Sequence, residues 1–233
     1  MRLDKLVADM CGVARAEAKT IIKAGRISCG GKKITDFSQN VSEKSEFEFD
    51  GNPVVYERCV YIMMNKPAGV VCATEDSKHQ TVLDLLGERY KRRRLFPVGR
   101  LDIDTTGLLI LTNDGPTAHY ALSPKRGHEK TYIVNARSPL SETDRKLLEN
   151  GVDIGGLITR PATVLRLRET EFSVTITEGK FHQIKKMFEK VGNRVEALKR
   201  VSFCGITLDD ELSEGQFRPL NKQEISCLTQ TIQ

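Results

Sequence analysis

The stretch Gly99-Arg100-Leu101-Asp102-Ile103-Asp104-Thr105-Thr106-Gly107 leads straight into the apolar run that ends at Thr112. Its two glycines bracket one arginine and two aspartates, so a rigid strand can aim a carboxylate while the backbone stays open to close approach. A catalytic carboxylate, Asp102 or Asp104, fits such a loop. A turn in which either aspartate caps its own backbone fits it as well. A second group of candidates is Glu178-Gly179-Lys180-Phe181-His182-Gln183-Ile184-Lys185-Lys186-Met187. With Ile184, Met187 and Phe188 facing a core, Lys185 falls at the rim of a cleft, where it can pair with a carboxylate and fix its rotamer. The plain alternative is an amphipathic helix with solvated lysines. Third, Glu129-Lys130-Thr131-Tyr132 places a tyrosine on a strand. It suits half-buried packing with a wet hydroxyl, or a ring that stacks on a nucleobase. The four histidines are dispersed, and His182 reads as structural. No P-loop, Gly-x-Ser-x-Gly or His-Glu-x-x-His pattern occurs. The six cysteines (11, 29, 59, 72, 204 and 227) show no metal-ligand spacing, so reduced thiols and no metal are expected.

These candidates need elements to hold them. Val60 to Met64 and Gly107 to Thr112 read as buried strands, and Tyr132 to Val134 and Phe172 to Thr177 as further strands. Helices are predicted over Thr81 to Tyr90, over Ser141 to Asn150 with Ser141 as N-cap, and over Phe181 to Val191. Nearer the start, Arg2 to Met10 and Ala14 to Ala24 read as short helices, the second stopped by Gly25. Gly30-Gly31 marks a hairpin between Arg26-Ile27-Ser28-Cys29 and Lys32-Lys33-Ile34-Thr35, and Phe47 and Phe49 begin another strand. Strands outnumber helices and no Gly-x-Gly-x-x-Gly opens a helix. The class is therefore α+β with a largely antiparallel sheet. A small unit over residues 1–56 and a larger one over 57–233 are expected, joined near Asp50 to Arg58.

At 39% hydrophobic and 29% charged residues the chain can form a packed core. No apolar run approaches the ~20 residues of a membrane span. The N-terminus lacks signal-peptide character, so a cytoplasmic protein is expected. The net charge of +5 is mild, but its distribution is not. Six basic residues against one acid lie between Ala14 and Lys33, including Arg15, Lys19, Lys23 and Arg26. Six against none lie between Arg89 and Arg100, and seven against two between Lys180 and Arg200. Each cluster alone suits a solvated face; the three together point to nucleic acid.

Residues 2–50, with Arg2-Leu3-Asp4-Lys5, the basic second helix, Gly25-Arg26-Ile27 and the glycine hairpin, resemble an S4 (α-L-like) RNA-binding domain. Residues 60–220 resemble the catalytic domain of the RsuA-type pseudouridine synthases. The resemblance rests on Asn65-Lys66-Pro67-Ala68-Gly69, the Gly-Arg-Leu-Asp motif, Glu129-Lys130-Thr131-Tyr132, Phe181 to Met187 and Leu198-Lys199-Arg200, in that order. It implies an isomerase that breaks the N1–C1′ bond of uridine, turns the base and rejoins it through C5, without cofactor. It further implies Asp102 as the catalytic carboxylate, Lys185 as its partner, Tyr132 against the base and Leu198 in the pocket wall. Arg100 would hold RNA or the flipped-out nucleotide, and Arg15, Lys19, Lys23 and Arg26 would contact phosphates. Asp104 would be a structural neighbour. Within the family, Ile103 to Gly107 and Ser123-Pro124-Lys125 look closest to the member acting on 16S small-subunit rRNA, the uridine-516 type. The expected partner is ribosomal RNA or a small-subunit assembly intermediate, bound by a monomer. A large-subunit 23S rRNA enzyme of the same family and an inert ribosome-assembly RNA binder are the alternatives.

Overall fold

The computed structural model describes residues 1–87, 90 and 92–229. By its internal contacts the chain divides into two units: Met1–Val60 with Leu86–Leu95, and Tyr61–Leu85 with Phe96–Gln233.

In the first unit, α1 (Leu3–Cys11) and α2 (Arg15–Lys23) pack against a four-stranded antiparallel sheet. Its strands are β1 (Ile27–Cys29), β2 (Lys32–Lys33), β3 (Phe47–Phe49) and β4 (Asn52–Val54), in the order β2-β1-β3-β4. Leu3, Leu6, Val7, Ala18, Ile22, Ile27 and Phe47 form the core. Arg15, Lys19 and Lys23 are four residues apart, so they share one helical face beside that core. The Arg93 guanidinium donates to the carbonyls of Asp9 and Glu57, which ties the 86–95 segment to this unit.

The second unit is built on a nine-stranded sheet. Along its main path run β13 (Phe217–Pro219), β5 (Tyr61–Lys66), β7 (Thr106–Thr112), β11 (Val195–Phe203), β8 (Lys130–Ala136), β10 (Glu171–Ile176) and β9 (Thr163–Arg166). Two short strands lie off this path, with β6 (Phe96–Pro97) on β7 and β12 (Ile206–Thr207) on β11. Pairing is antiparallel except between β7 and β11, which run parallel with Arg200 opposite Gly107. On one face, α3 (Gly115–Leu122) and α6 (Lys222–Thr229) help bury Met63, Leu108, Ile110 and Phe203. Asp114 caps α3 by accepting from the Thr117 amide, with Pro116 in the first turn. The helix α4 (Glu142–Asn150) is capped by Ser141, whose hydroxyl accepts from the Asp144 amide at 3.1 Å. Last, α5 (Gln183–Lys190) buries Ile184, Met187 and Phe188, and the Phe188 ring lies 6.2 Å from that of Phe172 on β10.

The helix predicted over Thr81 to Tyr90 does not form over its first part. Residues 82–85 form turns, and Glu88 and Arg89 lie outside the described residues. There the Asp84 carboxylate accepts from both the amide and the hydroxyl of Thr81, at 2.8 and 2.9 Å, closing a local turn. Thr81 also bridges to Val71, which holds it extended before Gly87 interrupts the chain. No helix among the described residues is long and apolar enough to cross a membrane.

Candidate active site

β6 and β7 are antiparallel neighbours, with Phe96 opposite Thr112 and the Val98 amide donating to the Ile110 carbonyl at 2.7 Å. The connection between them, residues 99–105, is thus the tip of a hairpin rooted in the buried centre of the sheet. Asp102 sits at that tip. The loop is held from below by Lys66, a side chain with no exposed surface. Its ammonium donates to the carbonyls of Thr105 at 2.9 Å, Pro67 at 3.0 Å and Ile103 at 3.3 Å. The Gly69 amide reaches the Ile103 carbonyl at 2.8 Å, and the Thr105 amide turns back to the Asp102 carbonyl at 3.1 Å. Burial pulls the Lys66 ammonium below the usual lysine range, while the charges of Asp104 and Asp102 act against that pull.

Lys66 is a positioning residue that the sequence disguised as the end of a strand. Replacing it by methionine removes one buried cation and leaves three carbonyls without their donor. We expect Lys66→Met to lose about 3 kcal/mol of stability in urea titrations and to slow turnover, since the Asp102 loop is no longer clamped. Unchanged stability together with unchanged rate would show the clamp to be idle.

From α5, Lys185 reaches the same loop. Its ammonium lies 3.2 Å from Asp102 and 2.6 Å from Asp104. The hydrogen bond goes to Asp104, so the lysine bridges two carboxylates and is not given to Asp102 alone. Asp104 is the more exposed of the two and is the anchor that sets where the ammonium sits. His182 completes the ring around Asp102 from 3.5 Å. It stands at the N-cap of α5 in the left-handed region and stacks on Phe181 with ring centroids 3.8 Å apart. That proximity to Asp102 was not legible in the sequence, where His182 is one of four scattered histidines.

Burial pulls the Lys185 ammonium down, but the Asp104 hydrogen bond and the two carboxylate charges outweigh it and hold the group above its ordinary value. The hydrogen bond from Lys185 in turn holds Asp104 below the ordinary carboxylate value of 3.8. A depressed carboxylate contributes stability above its unfolded value and loses it as pH falls through the folded one. A raised lysine contributes below its unfolded value and loses it as pH rises through the folded one. The bridge should therefore persist from below pH 3.8 to above 10.5. Carbon-detected NMR titration of Asp104 should give a midpoint below 3.8 that returns to the ordinary range in Lys185→Met. An unmoved midpoint in that variant would refute the bridge.

Asp102, Lys185, Tyr132, Leu198 and Arg100 all line one cleft of about 350 Å³, the size of a small-ligand site. Tyr132 and Leu198 are buried on adjacent strands β8 and β11 and face the cleft from the sheet. Arg100 is exposed at its edge. Arg15, Lys19, Lys23 and Arg26 belong to the first unit. Among these four, Lys19 and Lys23 flank the Phe37 ring at 5.2 Å each, whereas Arg26 is engaged by Asp50. A partly exposed carboxylate beside an ammonium, in one cleft with a tyrosine and a leucine, can act on a flat ring and the carbon that bears it.

The family model described as RNA pseudouridylate synthase matches residues 60–190, the whole span from β5 through α5. The chain belongs to the RNA pseudouridylate synthases. The model of the S4 domain matches residues 1–47, and the two models with the near-full-length relatives place the chain among the RsuA-type synthases. An uncharacterized RNA pseudouridine synthase of Bacillus subtilis is 45% identical, with 99% of each chain covered. Ribosomal small subunit pseudouridine synthase A of Escherichia coli K12 is 40% identical, over 98% of this chain and all of that one. A crystal structure of a pseudouridylate synthase superposes with a TM-score of 0.70 at 35% identity, covering 98% of this chain and 99% of that one. In this synthase the hairpin tip, α5 and the β8–β11 face all contribute to one cleft, and all of these but β11 fall within the matched span.

Proposed function

We propose that this synthase converts a uridine of ribosomal RNA to pseudouridine, with Asp102 as the carboxylate that acts at C1′. The finer reading is 16S rRNA, at a position of the uridine-516 type. The observation that carries the substrate is the near-full-length 40% identity to a ribosomal small subunit pseudouridine synthase. The chemistry is supported by the placement of Asp102, held beside Lys185 in one cleft with Tyr132 and Leu198. The target nucleotide must leave its helix, because C1′ and the base both have to be reached. Tyr132 then meets the face of the base, Leu198 walls the pocket and Arg100 holds the strand at the edge.

Primer-extension mapping of pseudouridine in 16S and 23S rRNA, from cells with and without the gene, tests this. Loss of one 16S modification is expected. Loss of a 23S modification would move the substrate to the large subunit. An unchanged pattern, with no turnover on rRNA fragments, would leave an assembly binder.

In this reading an RNA-binding domain over residues 1–56 grips RNA through phosphate contacts. Arg15, Lys19 and Lys23 line one face of α2 free of intrahelical acids at that spacing. Deleting residues 1–56 is a poor test, since Arg93 would lose the Asp9 carbonyl. Lys19→Gln with Lys23→Gln is cleaner. If each lysine meets one phosphate, the slope of log affinity against log salt should fall by roughly 2. An unaltered slope would place the RNA elsewhere.

A further inference from the structure

Two cations share the cleft floor with Tyr132 and Leu198, and neither has a carboxylate partner among the described residues. Arg200 is 2% exposed. Its Nε donates to the Leu108 carbonyl at 2.8 Å, while its buried Nη2 has no hydrogen-bond partner among the described residues. Lys130 donates to the His128 carbonyl at 3.1 Å. A β-bulge between Arg200 and Ser202 shifts the register, so Arg200 opposes Tyr132 while Phe203 opposes Lys130. All four side chains therefore lie on one sheet face, and both cations sit over the Phe203 ring, at 5.0 and 5.2 Å.

The carboxylate whose charge acts on Lys130, Glu178, is already taken. Glu178 accepts from Gln183 at 2.8 Å and from the Arg160 amide at 2.9 Å, with Lys180 at 3.6 Å. Lys185 is committed to Asp102 and Asp104. Burying a cation without a counter-charge is costly, and an orphan donor inside a cleft marks a place that a ligand completes. Burial, then the Arg200 charge, lower the pKa of Lys130, and an arriving anion would relieve both.

We infer that Arg200 and Lys130 receive the uracil ring as an anion when it departs from C1′, an assignment that rests on the reaction proposed above. When N1–C1′ breaks, its electron pair stays with N1 and spreads over O2 and O4. C1′ either bonds a carboxylate oxygen of Asp102 or forms a double bond to C2′ as Asp102 takes the C2′ proton, and on both routes the departing ring carries the negative charge. The charge passes back to the Asp102 carboxylate when C5 bonds C1′ and the Asp102–C1′ bond breaks, or when the proton held on Asp102 returns to C2′; the C5 proton then leaves and N1 takes one up. Asp102 is regenerated and no co-reactant is consumed. Turning the ring about its N3–C6 axis exchanges N1 with C5 and O2 with O4. A floor placed to meet one carbonyl therefore meets the other after the turn, so the same two cations serve both halves of the reaction.

The experiment compares single-turnover cleavage of N1–C1′ in two rRNA fragments, one with uridine and one with 5-fluorouridine at the target. Fluorine makes the ring a better anionic leaving group, so it needs the floor less. Arg200→Gln and Lys130→Met should each slow the uridine fragment about a hundredfold and the fluorouridine fragment about tenfold or less. Arg200→Lys should recover much of the loss. Equal losses on both fragments would overturn the assignment, as would weaker RNA binding with an unchanged cleavage rate. If Arg200→Gln does not fold, Lys130→Met decides alone. A folded wild-type protein that converts neither fragment sinks the reaction itself, and this assignment with it.

Discussion

Asp102→Asn should abolish pseudouridine formation, with the single-turnover rate falling by at least about 10⁴-fold. The substitution keeps shape and removes the charge. Local structure should survive it, because Lys185 keeps its hydrogen bond to Asp104 at 2.6 Å and Lys66 keeps the loop carbonyls. Asp102 itself is partly exposed, with 27% of its side chain open to solvent, so little packing is lost. Binding of rRNA should stay within about threefold, since one carboxylate in the cleft adds nothing to phosphate contacts made elsewhere. Asp104→Asn makes the control: it perturbs the lysine anchor but leaves Asp102, and should slow the reaction by about tenfold. The measurement is quench-flow conversion of a labelled rRNA fragment, alongside a melting curve. Residual activity within tenfold of wild type in Asp102→Asn would remove this residue from the chemistry.

The carboxylate loop was legible because its signals are local: two glycines, two acids and an apolar run fall within a few residues of one another. Helix caps were legible for the same reason, as Ser141 and Asp144 show. What could not be read is what depends on partners far along the chain. Strand β11 is the clearest case. Val-Glu-Ala-Leu-Lys-Arg-Val-Ser-Phe has no clean alternation, because two register shifts interrupt it and Lys199 and Arg200 sit in its middle. Yet it is a central strand and carries both Leu198 and Arg200 into the cleft. The Lys66 clamp is hidden likewise, since its three acceptors lie on Pro67 and on a loop about forty residues away. Lys185 was placed at the cleft rim from helical spacing alone, but its division between Asp102 and Asp104 is a matter of fractions of an ångström.

Gly107→Ala should be the most damaging single-methyl change in the catalytic unit. Gly107 has φ of 99°, a conformation that alanine rarely adopts. It is also the residue at which β7 lies beside β11 in parallel, opposite Arg200. A Cβ there would stand 2.2 Å from the Arg200 carbonyl oxygen and 2.8 Å from its amide nitrogen. Backbone held in a sheet ladder cannot step aside as a side-chain tip can, so the two strands must separate or slip. That combines dihedral strain with a broken ladder, and we expect a loss of about 4 kcal/mol. For a chain of this size the melting temperature should fall by roughly 8–16 °C. Gly99→Ala is the informative comparison. Its φ of 81° is also strained, but the new Cβ meets only the Cδ2 end of Leu122 at 3.0 Å, so about 1–2 kcal/mol should suffice. Function should follow the same order. Parting β7 from β11 moves the Asp102 hairpin away from the strand that carries Leu198 and Arg200, so Gly107→Ala should lose activity even where it remains folded. If both variants melt alike, the close approach of these two backbones is not what fixes the site.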